Sequence, residues 1–465
     1  MTKEPTIRSV INHQLERKGY SLHSFSRRSG INRGTLSAIL NGNPPKPISI
    51  GQLDLITEAL EQPIGSYYPL YVEECIDSDH PNRRRLKAFL HRCAEIGELD
   101  CIEQVLSRLT EDLSYLPMIF DMGEELYEEG RRDAARLFYQ SVCEYEKYQH
   151  SERLAISQYR LFRMNLGEDA ESNLRTATWF EPYRNRLPED LQLDGLLQLA
   201  NTYYSLQKWT YVVRFAEELQ TLARRIYETS WKASSAHQDR ELRCERHLVV
   251  YFGQGYLLKG AALEHLGRYE EALKCVAEYA DLSWFEGLDE TGLKEVEKFK
   301  VWAKANRYNL EILNGNETIL PEYIQMLKEH PHEVLPSLRI IVEAANINGF
   351  VIDDVLKVFP VNTDLYSLYP NHYVSAVNKD RFLDLNYQLA IYLLRKQEIE
   401  EGLEKLIYAL KYAVSLNNKE LFMKMVPLFE QHRSFATQEQ LQQYESLMGE
   451  VLKVAEVGND VRSDH

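Results

Sequence analysis

The chain has 465 residues, a net charge of −16 and six cysteines. No apolar run approaches the ~18 residues of a membrane span and nothing resembles a signal peptide, so the expected compartment is the cytoplasm, with no membrane partner. The cysteines (75, 93, 101, 143, 244 and 275) are scattered without a Cys-x-x-Cys, which argues against a zinc site or a disulfide framework and marks them as small core residues.

The first informative segment runs from Ile7 to Leu60. Ile7, Val10, Ile11 and Leu15 form an apolar helical stripe that stops at Gly19. Ser21 is placed to cap a short helix from Leu22 to Ser29, and Gly30 can take the left-handed conformation that ends it. Asn32 then caps a helix from about Arg33 to Asn41 that buries Leu36, Ile39 and Leu40, with Gly42 closing it. After the Pro-rich link 43–47, Ser49-Ile-Gly-Gln52 reads as a capping box opening a helix that carries Leu53, Ile56 and Leu60. Two short helices joined by a tight turn are the sequence form of a helix-turn-helix, whose second helix enters the DNA major groove.

On these residues the segment 5–65 resembles the lambda-repressor-like, or Cro/XRE-type, DNA-binding domain. It departs from that pattern at Phe25-Ser26, where the family usually has Leu-Ala. The resemblance places Arg33 and Gly34 at the start of the recognition helix, with Ala38 one turn on. Arg33 alone among these can make a bidentate contact to guanine. Asn32, Thr35, Ser37 and Asn41 suit phosphate contacts, flanked by Arg27, Arg28 and Lys46. Residues 1–50 hold eight cations against two acids, a net +6, which leaves −22 on the remainder. A basic head on an acidic body offers DNA one end only.

The next 380 or so residues read as consecutive amphipathic helices without strand alternation or a Gly/Ser linker. The spacing Tyr256-x-x-x-Gly260-x-x-Leu263-x-x-x-Gly267-x-Tyr269-x-x-Ala272 is that of a tetratricopeptide repeat. Weaker copies recur at Gly123/Leu126/Gly130/Ala135, at Leu199/Ala200/Tyr203/Trp209 and at Leu389/Ala390/Leu393/Ile399/Gly402. The expected fold is therefore all-α: a helix-turn-helix domain over 1–68, a linker over 69–82 with its hinge in Asp77–Asn82, a right-handed repeat superhelix over 83–458, and a tail at 459–465.

No catalytic motif emerges, and no enzyme, cofactor or metal is expected. Gly253-Gln-Gly255 lies inside a repeat helix with no strand before it. His330-Pro-His332-Glu333 reads as a turn between helices, marked by the prolines at 331 and 336, rather than a metal site.

An XRE-type head followed by tetratricopeptide repeats resembles the RRNPP group of peptide-responsive quorum-sensing regulators, a plan that phage arbitrium receptors share. The resemblance implies a homodimeric transcription factor that binds a double-stranded operator and takes a short signalling peptide in the concave face of its repeats. Asparagine amides pair with a peptide backbone as donor and acceptor together. On the repeat register, Asn201 and Tyr204 face the groove, as does Asn386, and Asn165, Asn306, Asn309 and Asn346 lie on first-helix-like segments. The alternative is a DNA-binding adaptor whose repeats hold a protein, such as a response regulator or an anti-repressor.

Overall fold

The computed structural model describes residues 5–76, 81–148, 151–229, 244–361, 372–415 and 418–460. All regular structure among the described residues is helical, and the chain divides into two compact units, Met1–Gly195 and Leu196–His465. The first unit contains α1 (Ile7–Arg17), α2 (Leu22–Ser29), α3 (Arg33–Asn41), α4 (Ile50–Ala59), α5 (Tyr68–Ile76), α6 (Arg83–Ile96), α7 (Leu99–Leu109), α8 (Leu116–Glu128), α9 (Arg132–Tyr145), α10 (Glu152–Asn165) and α11 (Ala170–Phe180). Helix α12 (Glu189–Ser205) crosses the division. The second unit continues with α13 (Trp209–Tyr227), α14 (Leu248–His265), α15 (Tyr269–Tyr279), α16 (Glu290–Leu313), α17 (Leu320–Glu329), α18 (Val334–Asn348), α19 (Asp353–Val358), α20 (His372–Arg395), α21 (Ile399–Ser415), α22 (Lys419–His432) and α23 (Gln438–Asp460).

The first four helices start where their caps dictate. Ser21 Oγ accepts from Ser24 N at 3.2 Å, and Asn32 Oδ1 accepts from Gly34 N at 2.8 Å. Ser49 and Gln52 exchange side-chain and backbone bonds in a full capping box. Gly30 ends α2 at φ +69°, a conformation that costs any residue with a Cβ. Gly42 does something other than expected: its φ of −66° suits any residue, but a Cβ there would lie 2.4 Å from the Ala38 carbonyl oxygen. Close approach, not handedness, requires glycine at this position.

The stretch expected as a linker at 69–82 is helical as far as Ile76, and 77–80 lie outside the described residues. Helix α5 buries Tyr68, Tyr71, Val72 and Cys75. Tyr68 and Tyr71 both meet Phe89 of α6 edge to face, at 5.4 and 5.0 Å. Polar ties cross the same junction: Arg92 to Asp54 at 2.9 Å, Arg108 to Glu73, and Arg85 to the Glu74 carbonyl at 2.9 Å. One apolar core accordingly runs without a break from Ile7 to Val142. The expected tail from 459 passes outside the described residues at 461.

Five helical hairpins share one turn. At Gly97, Gly130, Gln207, Gly267 and Gln397 the backbone turns left-handed, with φ between 54° and 82°. The next residue's N–H then bonds back to the carbonyl five positions earlier: Glu98 to Cys93, Arg131 to Leu126, Lys208 to Tyr203, Arg268 to Leu263, and Glu398 to Leu393. These are the six-to-one bonds of a Schellman stop. In every case the partner helix starts two residues after the left-handed one. The repetition of atoms, rather than of sequence, establishes a repeat-like helical fold.

Glycines inside α14 serve its packing. A Cβ on Gly253 would fall 2.4 Å from the Phe299 ring, and one on Gly255 would fall 2.7 Å from Gln220 Cγ, so neighbouring helices touch its backbone. The His330–Glu333 segment is a single turn of 3₁₀ helix, as its prolines imply.

Candidate functional sites

Helix α3 buries Leu36, Ile39 and Leu40 and turns its polar positions outward. Asn32, Arg33, Gly34 and Asn41 are exposed, while Thr35, Ser37 and Ala38 are half-buried. Asn32 is committed to capping, and the Ala38 carbonyl accepts the Lys46 N–H at 2.9 Å, folding the 43–47 link against α3. Arg27, Arg33 and Lys46 are exposed, and their side chains have no hydrogen bond or ion pair among the described residues.

Three further head cations are used internally. Arg8 grips Glu74 with two bonds (2.5 and 2.8 Å) and also reaches the Ile39 and Lys46 carbonyls. Lys18 and Arg28 converge on Glu61, and Arg28 also donates to the Ala59 carbonyl at 2.7 Å. Those two cations hold the Glu61 carboxyl below its ordinary range. The +6 of residues 1–50 therefore overstates the free positive charge, because Glu61 and Glu74, beyond residue 50, neutralise part of it. Among the described residues, what remains unpaired is Arg27 on α2, Arg33 on α3, Lys46 in the link after it, and Arg17 at the end of α1.

The asparagines expected to meet a ligand are engaged in different ways. Asn165 lies in the first unit and accepts from Arg136. Asn306 donates to the Tyr279 hydroxyl at 2.8 Å, and Asn309, 6% exposed, accepts from the Tyr323 hydroxyl at 2.5 Å. Asn386 borders a cavity of about 860 Å³ between α20, α21 and α23, but its amide is spent on the Phe382 carbonyl. Asn346 donates to the Gln388 carbonyl at 2.9 Å, while its own Oδ1 is buried with no donor. Asn201 is half-buried and has no hydrogen bond among the described residues. Tyr204 meets the edge of Trp209 at 5.4 Å and lies near His265.

That last neighbourhood contains groups which sequence reasoning missed. Arg339 on α18, 13% exposed, stands among carboxylates from three helices: Glu343 at 2.8 Å on its own helix, Asp384 of α20 at 3.0 Å, and Glu264 of α14 at 4.0 Å. Beside Glu264, His265 stacks flat on Trp209, with ring centres 4.0 Å apart and planes 7° from parallel. Burial pushes the Glu264 carboxyl up to about 7, while His265 beside it is exposed. The one sequence signal was Arg339 and Glu343, four residues apart in an otherwise apolar helix.

No family model matches the chain, and no curated protein matches it. Among solved structures, a circular tandem repeat protein with novel repeat topology and enhanced subunit contact surfaces aligns over 96% of this chain and 90% of that one. The identity is 14% and the TM-score 0.15, too slight a likeness to bear on function. No helix among the described residues is long and apolar enough to cross a membrane.

Proposed function

We propose that this chain is a sequence-specific DNA-binding transcriptional regulator, with α2 and α3 as its helix-turn-helix and the later helix pairs as the receptor for a short signalling peptide. The observation that carries the reading is the partition of cations in the head. Arg8, Lys18 and Arg28 are consumed by acids of the same fold, whereas Arg27, Arg33 and Lys46 stand unpaired around the exposed side of α3. Desolvating a phosphate or a guanine edge against unpaired cations is favourable, and against neutralised ones it is not.

In this reading the protein works as a homodimer on two half-sites about 34–36 Å apart, or a multiple of that. A peptide that binds two arrangements of the dimer with 100-fold different affinity shifts their balance by about 2.7 kcal/mol. Asn201 and Tyr204 are the residues best placed to meet it, since neither the Asn201 amide nor the Tyr204 ring is enclosed. The chain acts by binding, without catalysis.

Selection of operator sequences from random duplexes by the full-length protein tests the first half of the proposal. Arg27→Ala should weaken every duplex and lower the salt slope by about one. Arg28→Ala, whose guanidinium is already engaged, should move that slope less. Recovery of no preferred sequence, together with unchanged binding by Arg33→Ala, would sink it. Native mass spectrometry of protein from its own host at high cell density tests the second half: a dimer carrying the mass of a short peptide is expected.

A further inference from the structure

We propose that the side chains gathered around Glu264 bind an organic cation, a guanidinium or alkylammonium group, beside the Trp209–His265 stack. The first argument is charge. Three carboxylates, Glu264, Glu343 and Asp384, face one guanidinium, Arg339. Arg339 satisfies Glu343 and Asp384 at hydrogen-bond distance and stays 4.0 Å from Glu264. Glu264 is only 14% exposed, and no hydrogen bond reaches it among the described residues. A buried carboxylate without a donor is expensive, and a second cation supplies both the missing charge and the missing N–H.

The neighbouring groups leave that deficit intact. His265, exposed at the end of α14 and stacked on Trp209, makes no ion pair with these carboxylates among the described residues. Burial raises Glu343 as well as Glu264, and a neighbouring carboxylate, Asp384 for the first and Glu343 for the second, adds to the shift. Tyr204 and Trp209, set edge to face, add aromatic surface of the kind that attracts guanidinium and ammonium groups. The site thus combines surplus carboxylate with aromatic faces, and its chemistry selects against anions.

This inference deepens the receptor reading and rests on it for the source of the cation, an arginine or lysine side chain of the bound peptide. A free polyamine offers the same chemistry. The test is thermal unfolding of the full-length chain with three mixtures of acetylated, amidated pentapeptides. Their central residue is fixed as arginine, glutamine or glutamate and the other four are randomised; spermidine alone is a fourth probe. The arginine mixture should raise Tm where the other two do not. In Glu264→Gln and in Asp384→Asn, each checked for native helicity, the concentration giving half that shift should rise at least tenfold.

Equal shifts from all three mixtures would overturn the cation site and leave the receptor standing. A cation response with the wild-type midpoint in both variants would place the cation elsewhere and overturn the assignment. A spermidine shift that both variants weaken, with no peptide shift, would support the cation site and remove the peptide as its source. No response to any probe would sink both readings.

Discussion

Arg33 and Arg339 carry the same guanidinium in opposite surroundings. Arg33 opens a helix that turns it to water, and no acid approaches it among the described residues. Arg339 is 13% exposed and has more carboxylates around it than it can serve. The first is an unpaired cation suited to an external anion; the second sits in a pocket of charge that lacks a cation. Counting arginines in the sequence cannot separate the two cases, because the distinction lies in which acids the fold delivers to each.

Five substitutions can break or sharpen this contrast. Arg339→Met should have the largest effect, destabilising the second unit by about 3 kcal/mol at pH 8, because three carboxylates lose their common partner. Urea unfolding checks it, and a loss no larger than that of an exposed arginine would dissolve the comparison. Arg33→Ala should leave stability untouched and cost about 1–3 kcal/mol of operator binding, with relaxed preference at one base pair; titration against selected and scrambled duplexes decides it.

Glu264→Gln tests the surplus of acid. Glu264 ionises near its ordinary 4.5 when unfolded and near 7 when folded. Its contribution is therefore favourable below 4.5, declines as pH rises between 4.5 and 7, and is a full penalty above 7. Relative to wild type, the variant should gain about 1–2 kcal/mol on going from pH 5 to pH 8, a figure discounted for residual exposure. A difference independent of pH would mean that the carboxyl is ordinarily solvated. Smallest, Gln207→Gly and Gln397→Gly should each stabilise by about 0.5–1 kcal/mol, since both glutamines hold a left-handed backbone (φ 54° and 65°). Chemical denaturation at neutral pH measures it.

Much of the head was readable because its signals are local. Ser21, Asn32 and Ser49 announce three helix starts within a few residues of where they act, and Gly30 announces a stop. Gly130 and Gly267 likewise betray their hairpins. Gln207 and Gln397 make the same turn without the residue that favours it, imposed by the helices on either side. The stretch after residue 68 misled for another reason. A linker with its hinge in Asp77–Asn82 was expected there, while Tyr68, Tyr71, Val72 and Cys75 already carried helical spacing. The Arg339 cluster was beyond reach, because its partners come from three helices far apart in the chain. Asn165, Asn306, Asn309, Asn346 and Asn386 all make internal hydrogen bonds, which residue type alone does not reveal.

The continuous core from Ile7 to Val142 bears on how this molecule can be cut and recombined. A fragment ending at residue 68 would strip Phe89 from Tyr68 and leave Arg8 without Glu74. A transplant that keeps α3 in its native setting has to include α5 to α9. Recombining the chain is then a matter of moving α1 to α9 as one block, with the seam placed after Tyr145 rather than within 69–82.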